Sequence, residues 1–192
     1  MPNADKLSVA SRTGTMTFRS LGRWFSFMVV AALVGPVSPS FATPVLPVMA
    51  PVIRQTSPID CGLAALAMLL RDKASITTTV AALDNLAAVL VDPTTSYHRQ
   101  EGYSVSELQT LTGAFTHSLQ ARNLTLEELS TRSFPVIAWI DAGNGGHFTL
   151  VEGVTATSVS VADPTRGRLS ISPHTWRELW LQETTGIVLE LE

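Results

Sequence analysis

The chain has 192 residues, 45% hydrophobic and 15% charged, with a net charge of −3. That balance excludes a disordered chain, and the lack of a basic tract argues against nucleic acid as a partner. A single cysteine excludes an intrachain disulfide and any cysteine-based zinc cluster.

Residues 1–42 read as a secretory signal rather than as part of a fold. Lys6, Arg12, Arg19 and Arg23 form a basic lead to the apolar run from Trp24 to Gly35, which Pro36 breaks. Ser40-Phe41-Ala42 supplies the small-x-small cleavage pattern. Spanning a bilayer takes about 20 apolar residues, and this run is shorter. The expectation is cleavage after Ala42, a periplasmic or secreted mature protein, and only transient contact with the membrane. An uncleaved inner-membrane anchor is the rival. Residues 43–51 hold Pro44, Pro47 and Pro51 and read as an extended lead-in. Residues 52–192 read as one domain.

Gly62 to Arg71 is predicted as a helix that is apolar nearly all round. Val80, Leu83, Leu86, Ala87 and Leu90 repeat at helical spacing and predict a second helix over Thr79 to Val91, stopped by Asp92-Pro93. A polar loop follows. Ser104…Glu107 and Thr125…Glu128 are capping boxes that open two further short helices. The second half changes character. Phe134–Ile140, His147–Val154, Ser158–Ala162, Arg168–Ile171 and Gly186–Leu191 read as strands, and Ser172-Pro173 starts a short helix carrying Trp176 and Trp180. Helices first and strands after predict a segregated α+β domain with an antiparallel sheet.

Chemistry centres on Cys61. A polar loop, Gln55-Thr56-Ser57-Pro58-Ile59-Asp60, runs directly into the Ala/Leu-rich helix and sets the thiol at its N-terminus. Unpaired N–H groups and the macrodipole there favour an anion, the reactive form of a cysteine nucleophile. A nucleophile needs a base, and four histidines are available. His98, His117 and His174 lie on separate elements without ligand spacing, so no metal is expected. His147 stands between Gly143-Asn144-Gly145-Gly146 and an apolar strand, at the mouth of the sheet. A hairpin turning at Thr155-Ala156-Thr157 brings Asp163 roughly opposite His147, where it can orient the imidazole; Asp141 is a weaker competitor for that role. Gln55, six residues before Cys61, offers an amide donor beside the Cys61 N–H for an oxyanion. Asp60 reads as a helix cap. Trp139, Trp176 and Trp180 read as core or cleft wall.

Gln55 followed by Asp60-Cys61-Gly62, then His147-Phe148 and Asp163-Pro164, resembles the bacteriocin-processing peptidases. These are papain-like cysteine peptidases that cut leader peptides after a double glycine. The resemblance runs from about Val52 to Leu191. It implies a papain-like fold over residues 52–192, no cofactor, and catalytic roles for Cys61 (nucleophile), His147 (general base), Asp163 (orienting acid) and Gln55 (oxyanion donor). It implies a peptide or protein precursor as partner, with a double glycine before the cut and secretion-system components nearby. The best-known members are fused to a membrane-spanning exporter, which these residues lack, and commonly carry proline where this chain has Leu63. Trp139 and Phe148 would line a cleft too narrow for anything but Gly-Gly. Two other readings remain open: a non-catalytic module that binds leaders, and a cysteine amidase or acyltransferase acting on the cell wall.

Overall fold

The computed structural model describes residues 49–94, 99–141, 143 and 145–192. The expected signal segment 1–42, most of the lead-in and His98 lie outside them. The described elements belong to one unit, Pro47–Glu192.

The apolar run after Cys61 forms helix α1, Cys61–Ala74, and every residue from Cys61 to Leu70 is buried. Such burial is possible because Ala and Leu keep high helix propensity while presenting no polar side chain to the core. Helix α2, Val80–Leu90, starts where Thr79 accepts from the Ala82 N–H at 3.1 Å. Helices α3, Val105–Gly113, and α4, Leu126–Ser130, each open on a reciprocal capping box, Ser104 with Glu107 and Thr125 with Glu128. Helix α5, Pro173–Trp180, opens on Ser172 with proline in its first turn. Among the described residues no helix is long and apolar enough to cross a membrane.

Six strands form one antiparallel sheet in the order β1-β6-β2-β3-β4-β5: β1 Leu119–Leu124, β2 Val136–Asp141, β3 Gly146–Val154, β4 Val159–Asp163, β5 Gly167–Ile171 and β6 Gly186–Leu191. Strand β1 is not among the predicted elements. Its sequence, Leu-Gln-Ala-Arg-Asn-Leu, buries only the two end leucines, so it shows no period-two alternation. It holds as an edge strand through its ladder to β6, aided by Arg122 to Glu190 at 2.6 Å.

The sheet separates two cores. On one face Ile137, Phe148, Leu150, Ala162 and Leu189 pack with α1, α2 and α3. On the other, Ala138, Ile140, Val151, Val161 and Val188 pack with Trp176 and Trp180, whose rings stack at 5.8 Å. Both tryptophans are therefore core. So is Phe148, 5% exposed, which corrects its expected place on the cleft wall.

One irregularity sets up the site. The β3–β4 ladder pairs Val154 with Val159 and Gly153 with Ser160, then shifts by one residue and pairs Val151 with Val161 and Leu150 with Ala162. Glu152 is the extra residue of this bulge, and Arg168 on β5 grips its carboxylate at 2.6 and 2.8 Å. A one-residue slip exchanges the two faces of a strand. Continued past Leu150, the shifted register sets Asp163 against Thr149, with His147 two residues further along the same face. Without the bulge Asp163 would stand opposite Leu150 and face away from His147.

Candidate active site

Cys61 occupies the first position of α1, where the backbone N–H has no intrahelical acceptor. The loop that delivers it is folded by Asp60. This carboxylate is fully buried and makes no side-chain cap bond to α1. It turns back instead to accept from the Thr56 N–H and Ser57 N–H, both at 3.1 Å, and from the Thr56 hydroxyl at 2.6 Å. The expected cap is thus a loop anchor, because the preceding polar residues offer it three donors at once. Behind Cys61, a Cβ on Gly62 would come within 3.2 Å of Phe148 and 3.3 Å of Leu108, so the glycine lets α1 seat closely on the sheet.

His147 links the two halves of the site. Its Nε2 lies 3.1 Å from Asp163 Oδ2, and the Cys61 thiol is near enough to act on the ionisation of the ring. Burial pushes the imidazole toward its neutral form. The bonds to Asp163 and Cys61 and their charges outweigh this and raise its pKa to about 9. The glycine-rich approach serves the geometry: Gly143 and Gly145 take φ of +86° and +117°, and the Trp139 ring lies where a Cβ on Gly146 would stand, 2.5 Å from its Nε1. Trp139 therefore covers the backbone beside His147.

Asp163 is fully buried, and burial alone would raise its pKa. The bonds from His147 and from backbone N–H groups overcome that and hold its pKa well below the carboxylate range. Its Oδ1 accepts from the Thr165 and Arg166 N–H groups at 2.8 Å each. Its Oδ2 is shared between His147 and the Arg166 guanidinium, the latter at 3.3 Å. The turn Asp163-Pro164-Thr165-Arg166-Gly167 carries the signal for this arrangement: an Asx turn entered by Asp-Pro and closed by a glycine at φ +92°. Thr165 and Arg166 were nonetheless not among the predicted site residues.

Gln55 reaches the same turn. Its N–H donates to Pro164 O at 3.2 Å, its Oε1 accepts from the Thr165 hydroxyl at 2.8 Å, and its Nε2 donates to Ser57 O at 2.8 Å. One amide hydrogen is thus committed to the loop and one remains for a ligand. Gln55, Gly146, His147, Asp163, Thr165 and Arg166 line a cleft of about 390 Å³. Among the described residues no group of three or more His, Cys, Asp and Glu side chains is arranged to hold a metal, and His174 is exposed on α5, 3.4 Å from Glu178.

The arrangement is a thiol, an imidazole and a carboxylate in series, with a helix-start N–H and an amide at the side. Such a set can deprotonate a nucleophile, stabilise an oxyanion and return a proton to a leaving group.

The fold has relatives among known proteins. An uncharacterised protein of Methanothermobacter marburgensis is 30% identical over 141 residues, covering 73% of this chain and 87% of that protein. A double glycine motif protease from an AMS/PCAT transporter, solved with its leader peptide, superimposes with a TM-score of 0.56 at 22% identity, covering 73% of this chain and 89% of that one. The peptidase domain of Streptococcus ComA, a bi-functional ABC transporter, gives 0.57 at 16% identity, covering 73% and 96%. These likenesses show a papain-like fold of the kind found in double-glycine peptidase domains. The family model that matches residues 49–191 is that of the Peptidase C39 family, and to that family the chain belongs.

Proposed function

We propose that this protein is an active cysteine peptidase that cuts a precursor peptide after a double glycine, outside the cytoplasm. What carries the reading is His147, held between the Asp163 carboxylate at 3.1 Å and the Cys61 thiol. His147 takes the proton of the Cys61 thiol, leaving a thiolate beside an imidazolium. Cys61 attacks the carbonyl of the second glycine, and the oxyanion is met by the Cys61 N–H and the free N–H of Gln55. His147 gives its proton to the departing amine, a thioester remains on Cys61, and water attacks it with His147 as base. Asp163 keeps the ring oriented throughout. Trp139, over Gly146, is the candidate wall that admits glycine and excludes residues with a Cβ.

The basic stretch, short apolar run and Ser40-Phe41-Ala42 support export, with the mature protein beginning at Thr43 and serving a secretion system for peptides, pilins or fibres. N-terminal sequencing of the exported protein checks this, and an intact Met1 on membrane-bound protein contradicts it. The activity is tested with leader peptides carrying Gly-Gly, Gly-Ala or Ala-Ala before the cut, beside peptidoglycan fragments. Cleavage of the first peptide alone is the expected result. Equal cleavage of all three removes the double-glycine assignment, binding without cleavage points to the non-catalytic module, and release from peptidoglycan points to the amidase.

A further inference from the structure

Beyond the imidazole the cleft opens into a polar mouth that the proposed proton transfers leave unused. Arg166 lines it, and its side chain is 50% exposed. Of the five N–H donors on its guanidinium, the bond to Asp163 Oδ2 at 3.3 Å engages one. Arg54 approaches the same turn: its Nη1 lies 3.0 Å from the place a Cβ on Gly167 would take, and among the described residues it has no hydrogen-bond or ion-pair partner. Asp163, the carboxylate between Arg166 and His147, is fully buried and already bonded on both oxygens, so it offers nothing to a ligand. A protein of net charge −3 thus sets one exposed guanidinium and a raised-pKa imidazole in one opening, with a second guanidinium against the turn that carries Arg166.

The direction of the chemistry says which part of a peptide meets them. His147 protonates the departing amine, so groups on the far side of the ring from Cys61 accompany the departing half. The cleft lining runs from Gln55 and Gly146 past His147 to Thr165 and Arg166 and does not include Cys61. We propose that Arg166, supported by Arg54, reads a side-chain carboxylate in the first residues after the cut. The preferred substrates are then precursors whose released segment opens with an acidic residue. Guanidinium pairs with carboxylate through two parallel N–H donors, which gives direction as well as charge. This inference rests on the peptidase reading above.

The test uses amidated leader peptides identical up to the cut, with Asp, Ala or Lys at the two positions after it. The readout is the ratio of kcat/KM between the Asp and Lys peptides within one enzyme. A general loss of activity caused through Asp163 cancels in that ratio. The wild type should favour the Asp peptide over the Lys peptide by about tenfold or more, and the ratio should shrink as salt is raised. Arg166→Glu should invert the order, Arg166→Ala should bring it near unity, and Arg54→Ala should reduce it partly. Equal cleavage of the three peptides by the wild type, or an unchanged ratio in Arg166→Glu, overturns the inference while the peptidase stands. Cleavage of none removes the peptidase reading and this inference with it.

Discussion

Cys61 is 7% exposed and Asp163 0%, yet different forces hold the two ends of the site. Cys61 is placed by packing. It begins a helix whose first ten residues are buried among apolar side chains, and Gly62 lets that helix approach Phe148 and Leu108. Asp163 is placed by hydrogen bonds and by register. Two backbone N–H groups and Arg166 fix its oxygens, and the Glu152 bulge turns it to the His147 face. His147 joins the two. A site divided in this way should fail differently at each end: packing changes should cost stability first, and polar changes should cost chemistry first.

The largest effects fall on the joint. Cys61→Ala and His147→Ala should each lower kcat/KM by about 10⁴-fold or more, since either leaves the series broken. Thermal unfolding should move little by comparison. Asp163→Asn comes next, with a loss of about 10²–10⁴-fold. It should also change the pH profile. In the wild type activity should fall as pH rises through about 9, where the His147 imidazolium loses its proton. The Asp163 carboxylate holds that proton on, so in Asp163→Asn the alkaline limb should move to lower pH.

How much of this was legible follows the same division. The α1 run, the two capping boxes and the Gly-rich entry to His147 announce themselves in the sequence, because propensity and local hydrogen bonds act over a few residues. His147 and Asp163 come within 3.1 Å of each other, the juxtaposition that the hairpin reasoning expects. The bulge at Glu152 does not announce itself, since nothing local marks which residue of β3 is extra. The simple hairpin reached the right pair only because its assumed turn happened to carry the same register. Strand β1 escaped notice because an edge strand with four exposed residues has no alternation to read. Asp60 read as a cap because its partners, Thr56 and Ser57, lie upstream, where a loop carries no period.

Smaller effects sharpen the contrast. Leu66→Ala, at a fully buried position of α1, should cost about 2–5 kcal/mol in denaturant unfolding. The pH profile of the remaining folded enzyme should be unchanged. Gly62→Ala is the crossing case: its Cβ must displace Phe148 or Leu108, and the start of α1 moves with it. A fall in kcat/KM on the order of tenfold is expected, with a modest loss of stability.

The claim that the two ends meet at His147 is tested most directly by NMR titration of its ring in the wild type and in Cys61→Ala. The wild-type ring should titrate near 9. In Cys61→Ala the thiol's hydrogen bond and charge are gone, so the midpoint should fall, while Asp163 keeps the ring in place. A wild-type midpoint near the ordinary histidine value of about 6.5, or one that is the same with and without the thiol, would contradict the account.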